Sequence, residues 1–340
     1  MKNNKQQIYR KINSNLAELL NSKSLELYRI MEFQMGISNT DELNQYEVKN
    51  DSYIAEDLII LSKLLTGDES KALTLAMSIT LVEHFIRVHH DVQDGNTESN
   101  SGIPSVWWKW GPAHAINTGD GLHALARLSL LEMDLTKISS EDINFSVNLL
   151  DKAIMSLCEA EFMEINLQDK ILFTPEECLN ISYKKGAPLY GCTFAFSSLT
   201  VKDHDKDIHE KFFKLGSYIG AINYINNDYK AIMDEKERNP ENLGRILTKK
   251  KNLLLANAIK SGDPKTKREI GEMYMKRILT PDDIERLRKI IISTSAIEET
   301  NKSIHDFTKK SLEILEPLNI NIETKDYVKI LLDNLSNEKH

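Results

Sequence analysis

At 340 residues the chain is long enough to bury a large core, and its net charge of −8, from 43 basic against 51 acidic side chains, argues against a nucleic-acid surface as its main business. Cys158, Cys178 and Cys192 have neither close pairing nor metal-ligand spacing, which points to reduced thiols and a cytoplasmic setting. The start MKNNKQQIYRKINSN is polar and basic, unlike a signal peptide, and no stretch reaches the roughly 18 uninterrupted apolar residues of a membrane span.

The predicted elements are all helices. Gly (14) and Pro (8) are scarce, and apolar residues recur at i, i+3, i+4 and i+7. The first 50 residues are expected to form an N-terminal helical extension. Residues 53–66 and 70–90 read as helices joined by a Gly-Asp turn, followed by helical windows at about 112–133, 141–169, 175–201 and 207–236. The stretch 235–252 (EKERNPENLGRILTKKKN) reads as a charged loop, and helices resume at about 264–277, 281–292, 294–316 and 324–336. Pro175 and Pro281 sit just inside helix starts, after Thr174 and Thr280 as N-caps. No useful period-2 run, repeat or linker divides the chain. The expectation is one all-α bundle over 1–340, with the most apolar helices in its centre.

Five segments carry candidate chemistry. The first is His89-His90-Asp91-Val92-Gln93-Asp94-Gly95, at the end of an apolar helix. Carboxylates three residues apart share nearly one helical face, and Mg²⁺ takes oxygen ligands together with substrate phosphates. Two surface aspartates at a solvated helix end would look the same in isolation. The helix is too apolar for the surface, however, and carboxylates there need a partner or a metal. The second segment is Asn226-Asn227-Asp228 through Glu235, in which Asn227, Ala231 and Glu235 fall on one face. Gly216 and Gly220 in the same helix allow close helix approach. The third is Glu159-Ala160-Glu161-Phe162-Met163-Glu164, acids that either line a pocket wall or face water. The fourth, Lys184-Lys185-Gly186-Ala187, offers a point charge suited to a diphosphate, or else two snorkelling lysines. The fifth, Pro104-Ser105-Val106-Trp107-Trp108-Lys109-Trp110-Gly111, is either packing or the cap of a pocket beside the metal site.

In this order, from about residue 50 to 335, these segments resemble the isoprenyl diphosphate synthase family of polyprenyl synthetases. HDVQDG, SGIPSVWWKWG and AINTGDGLHALA look like that family's first Asp-rich motif, Pro-Thr-Val loop and Gly-Asp helix. CEAEFMEI resembles Cys-Glu-Gly-Gln-x-x-Asp-Ile, Lys185-Gly186-Ala187 stands at the Lys-Thr-Ala position, and LTPDDIERLRKIIISTSAIEETNKSIHDF is similar to the C-terminal helices. The resemblance implies a class I isoprenoid synthase bundle of about 10–13 helices around a central apolar pocket. It also implies a prenyl diphosphate substrate, more than one Mg²⁺ bridging it, and a homodimer.

The departures from the family pattern bear on the reaction. His90 replaces the first aspartate of Asp-Asp-x-x-Asp, leaving Asp91 and Asp94. The following Arg-Arg-Gly is Asn100-Ser101-Gly102, the early basic run is VKNDSYIAED, and Arg245 replaces an aspartate ahead of Lys249, Lys250 and Lys251. Several charge-assisted contacts to a second diphosphate are thus missing. Asn227-Asp228-x-x-Ala231-x-x-x-Glu235 resembles the metal motif of class I terpene synthases, with Ala for Ser; in the elongation register Asn226 and Asn227 would instead replace two aspartates.

The reading ranked first on these residues is a terpene synthase on an isoprenyl diphosphate synthase scaffold. It would ionise a prenyl diphosphate without isopentenyl diphosphate. Asp91, Asp94, Asn227 and Glu235 would hold Mg²⁺, and Lys185 would stabilise the leaving group. His90 is a candidate proton acceptor rather than a ligand, since Mg²⁺ prefers oxygen, and His89 is read as structural. Phe85, about one turn deeper on the same helix, would floor the chain pocket and favour a C10–C15 substrate. Glu161, Asn223, Asp228 and Lys250 complete the expected substrate contacts. The alternatives are a divergent prenyltransferase or chain-elongating synthase, and a non-catalytic partner subunit of one.

Overall fold

A computed structural model describes residues 2–37, 43, 46, 54–99, 101–136, 138–168, 170, 172–201, 206–234, 244–246, 248–277 and 279–336. In chain order its helices are α1 (Lys2–Asn21), α2 (Glu26–Met35), α3 (Ala55–Thr66), α4 (Ala72–Asp94), α5 (Val106–Trp110), α6 (Pro112–Leu131), α7 (Ser140–Gln168), α8 (Pro175–Ser198), α9 (Lys206–Met233), α10 (Leu253–Ser261), α11 (Pro264–Met275), α12 (Pro281–Ile292), α13 (Ala296–Leu315) and α14 (Ile322–Ser336). Among the described residues the only β contact is an isolated antiparallel bridge between Glu98 and Pro104. The protein is all-α, as the periodicity predicts, and no described helix is long and apolar enough to cross a membrane.

The predicted helix starts coincide with observed caps. Thr280 and Asp283 form a reciprocal capping box around Pro281, satisfying backbone donors that the first helical turn leaves open. Thr174 and Glu177 exchange the same two bonds ahead of α8, at 3.1 and 3.0 Å. Two helices escape the periodicity: α5, only five residues long, and α10, LLLANAIKS, which is too short and too evenly apolar to show a stripe. The start of α10 is nevertheless marked by Asn252, whose side chain accepts from the Leu255 amide at 2.9 Å. Part of the expected charged loop, 235–243 and 247, lies outside the described residues, as do 48–53 and Asn100.

The chain divides into two compact units, Met1–Leu150 with Cys192–Glu210, and Asp151–Gly191 with Lys211–His340; α7, α8 and α9 contribute residues to both. In the first unit α4 packs along α6, with α1, α2 and α3 around them, and Ser78 Oγ donates to the Ala126 carbonyl at 2.9 Å across that contact. In the second, α10 packs on α12 and α13 around Leu254, Leu255, Leu287 and Ile291, and Asn257 Nδ2 donates to Thr300 Oγ1 at 3.1 Å.

A close backbone approach in the second unit joins α8 to α9. A methyl group on Gly186 would fall on the Gly220 carbonyl, and one on Gly220 on the Gly186 carbonyl. Of the two glycines noted in α9, Gly220 therefore makes the contact, and it does so beside Lys185. Backbone cannot retreat as a flexible side chain does. Gly220→Ala is expected to lower unfolding stability by about 1–3 kcal/mol in chemical denaturation. Gly271→Ala, where an added Cβ meets open space on α11, is expected to be neutral or slightly stabilising.

Candidate functional site

In the first unit the candidate site is the last turn of α4. Asp91 is buried and Asp94 half-buried, three residues apart, and Gly95 ends the helix in the left-handed conformation at φ 70°. Asn96 then fixes the exit. Its amide donates to the Asp91 carbonyl at 3.0 Å and its side chain to Asp91 Oδ1 at 3.3 Å. The Asn96 carbonyl in turn accepts from Trp107 Nε1 and Ser105 Oγ, both at 2.6 Å.

The three tryptophans have separate tasks. Trp107 anchors the loop after the aspartates. Trp110 packs edge-on against Phe33 of α2 at 4.8 Å, with Lys109 over both rings, and Trp108 is 61% exposed. His89 bonds the Ile116 carbonyl through Nε2 at 3.2 Å and lies where Gly119 leaves room for it, a packing role. Phe85 packs between the His89 ring (4.9 Å) and the His123 ring of α6 (5.2 Å). His90 is half-buried on the same helix. Among the described residues no three His, Cys, Asp or Glu side chains converge on a point. A carboxylate pair still fits Mg²⁺, which commonly takes one or two protein carboxylates and completes its shell with phosphate and water.

In the second unit the site is a buried charge network. Lys185 of α8 reaches Glu164 of α7 at 2.5 Å and Glu161 at 2.7 Å. Lys250 reaches the same Glu164 oxygen at 3.2 Å, and Tyr224 of α9 donates its hydroxyl to the other at 3.2 Å. The Arg245 guanidinium stacks over the Tyr224 ring at 4.4 Å and bonds Asp228 at 2.7 Å. Burial works to raise the Glu164 carboxyl, but the ammonium groups of Lys185 and Lys250 overcome it and hold it at about 2. At Asp228 the balance goes the other way: burial raises the carboxyl more than Arg245 lowers it. Burial likewise raises the Tyr224 hydroxyl.

The structure thus brings together Lys185, Glu161, Lys250 and Asp228, all expected from the sequence, and adds Glu164, Tyr224 and Arg245. Lys184 instead pairs with Glu159 at the surface, at 2.7 Å. Asn223 and Asn227 lie half-buried, one turn apart on α9. Asn226 is fully buried and donates to the Leu335 carbonyl at 2.8 Å, so α14 occupies it. Glu235 lies outside the described residues. Glu164 was visible as one of three acids, yet only burial distinguishes it from Glu159. For Tyr224 the sequence offered no signal beyond an aromatic one turn before Asp228.

Removing Glu164 leaves two buried cations against fewer acids, a change that typically costs about 3–5 kcal/mol. Glu164→Gln is expected to destabilise the protein by that order at pH 7. Because the folded carboxyl is held below its ordinary value, its contribution is present above pH about 4.5 and is lost as the pH falls toward about 2. The stability gap between wild type and Glu164→Gln should therefore narrow across that window, measured by denaturation at each pH.

Residues 55–291, a span that takes in both sites, match the family described as Polyprenyl synthetase. A geranylgeranyl diphosphate synthase of Saccharolobus solfataricus is 27% identical over 235 residues, 69% of this chain and 70% of that protein. A geranylgeranyl pyrophosphate synthase of Geoglobus acetivorans is 25% identical over 276 residues, 79% and 83% of the two chains. The crystal structure of a polyprenyl synthetase from Streptomyces coelicolor A3(2) superposes with a TM-score of 0.81 at 18% identity, covering 98% of this chain and 99% of that one. The all-α architecture, the order of the motif segments and the sequence match agree: the chain belongs to the polyprenyl synthetase family.

Proposed function

We propose that the protein is a prenyltransferase that joins an allylic prenyl diphosphate to isopentenyl diphosphate, acting as a single domain over 1–340 and as a homodimer. What carries this reading is a family match that runs unbroken through Asp91, Asp94, Lys185 and Lys250, together with relatives named geranylgeranyl diphosphate synthase. The missing cations and the Asn227-to-Glu235 segment favour a terpene synthase; the relatives favour prenyl transfer.

Asp91 and Asp94 are the proposed metal holders, with Asn96 orienting Asp91. A Mg²⁺ bound there would supply Lewis-acid neutralisation of the departing diphosphate. Lys185 and Lys250 supply fixed positive charge for the leaving group, and Glu161 and Glu164 hold the Lys185 ammonium in place until a phosphate competes for it. Asn223 and Asp228 are proposed on the substrate side of α9. Phe85 closes the chain pocket against α6 and sets a short product, and His90 is the proposed proton acceptor.

The second reading, ionisation and cyclisation of one prenyl diphosphate, is favoured by a specific observation. VKNDSYIAED stands where the family's basic run binds the second diphosphate. Incubation of geranyl, farnesyl and geranylgeranyl diphosphates with Mg²⁺, with and without isopentenyl diphosphate, separates the two. A longer diphosphate formed only with isopentenyl diphosphate is the expected product. Hydrocarbon or alcohol formed without it would replace the first reading by the second, and no turnover in any mixture would favour a non-catalytic partner subunit.

Loss of one Lewis-acid carboxylate removes several kcal/mol of transition-state stabilisation, so Asp91→Asn is expected to slow turnover by about a hundredfold or more. Phe85→Ala is expected to shift the product distribution toward longer chains, read by chromatography of the dephosphorylated alcohols.

A further inference from the structure

Three cations and three carboxylates meet in the second unit's network: Lys185, Lys250 and Arg245 with Glu161, Glu164 and Asp228. Among the described residues these six charges cancel, and all but the half-buried Glu161 are buried. Asp228 is the acid that the second motif retains between Asn227 and Met233, and a guanidinium holds its Oδ1 at 2.7 Å. An arginine cannot surrender its proton to make room for a metal, and Tyr224, stacked at 4.4 Å, fixes the fork from the other side. A divalent ion approaching Asp228 would meet a like charge at contact range and leave an uncompensated excess in a low-dielectric interior. Asn226, the ligand in the elongation register, is fully buried and held in orientation by its Nδ2 donating to the Leu335 carbonyl. The residues around Asp228 do not fit a metal ion.

We infer that Arg245 takes the place of a divalent metal at this end of α9, so that positive charge there is built into the chain and metal binds at Asp91 and Asp94 alone. The inference rests on the proposed metal role of that α4 pair for its second half only. It also stands against the expectation that Asn227 and Glu235 hold a second ion. Arg245 would thereby lock the order of assembly: the α9 side carries its cation before any metal arrives, and metal concentration governs the α4 side only.

The test counts Mn²⁺ bound to the full-length chain by electron paramagnetic resonance, with inorganic pyrophosphate as the phosphate probe and circular dichroism as the check on folding. In the wild-type background, Asp91→Asn and Asp94→Asn are expected to lower the Mn²⁺ count, and Asp228→Asn and Asn227→Ala to leave it unchanged. Arg245→Asp, which frees Asp228 and adds a second carboxylate, is expected to bind about one more Mn²⁺ per chain. If that variant does not fold, Arg245→Gln, which keeps a donor toward Asp228 but removes the charge, is expected to admit the added ion more weakly. A drop in count on Asp228→Asn or Asn227→Ala overturns the inference, as does no added ion in a folded Arg245→Asp. Indifference to Asp91→Asn and Asp94→Asn would instead overturn the α4 metal reading, and the Arg245 arm would still decide the rest.

Discussion

The arrangement of the second unit hangs on one buried carboxylate. Desolvation works against the charge on Glu164, and it stays ionised because two ammonium groups share one of its oxygens while Tyr224 donates to the other. A buried carboxylate held this way is intolerant of slack, since its attraction to Lys185 offsets desolvation only at contact distance. The Gly186–Gly220 contact keeps α8 and α9 close beside Lys185, so helix packing and charge pairing set the same geometry. Tyr224 extends the dependence to Arg245 and Asp228, because its ring carries the guanidinium while its hydroxyl holds Glu164.

The two candidate sites are organised around different donors. On the α9 side Lys185, Lys250 and Arg245 meet the acids from within the chain. At the end of α4 the turn after Asp91 is stabilised by amide, indole and hydroxyl donors gathered on Asn96. Donors of that kind orient a carboxylate without cancelling its charge, which is what a ligand for a hard cation requires.

The helical architecture was legible because amphipathic periodicity and caps are local properties. Thr174 and Thr280 announce their helices within four residues, whereas α10, begun by Asn252, went unread. Asp91, Asp94, Lys185 and Lys250 were legible because spacing within a motif survives folding. What was not legible was the partner of each charge. Nothing in Lys184-Lys185 says which lysine turns inward, since that depends on helical phase against α7, and Glu159, Glu161 and Glu164 differ chiefly in burial. Asn226 and Asn227 admit two registers on paper; the Leu335 carbonyl, more than a hundred residues away in sequence, assigns Asn226 to the fold. The choice between cyclisation and prenyl transfer rests, in the sequence, on missing cations and on the register of Asn227-Asp228-x-x-Ala231-x-x-x-Glu235, and neither names the chemistry that remains.

The run Lys249-Lys250-Lys251 distributes three adjacent charges to three destinations. Lys249 adopts φ 56°, a conformation uncommon for a residue with a side chain, and its ammonium bonds the Tyr274 and Lys276 carbonyls at the end of α11, at 3.2 and 2.6 Å. Lys251 bonds the Leu167 and Gln168 carbonyls at the end of α7, at 2.9 and 3.0 Å, while Lys250 turns to Glu164. The outer two lysines bring positive charge and donors to the C-terminal carbonyls of two helices, and together they act as guy-ropes on the one between them. Sequence composition at this tripeptide is therefore a poor guide to its tolerance: three identical residues are not interchangeable. A one-residue insertion or deletion would leave the local charge unaltered yet hand each lysine its neighbour's task, uncapping a helix and emptying the Glu164 pair in the same step.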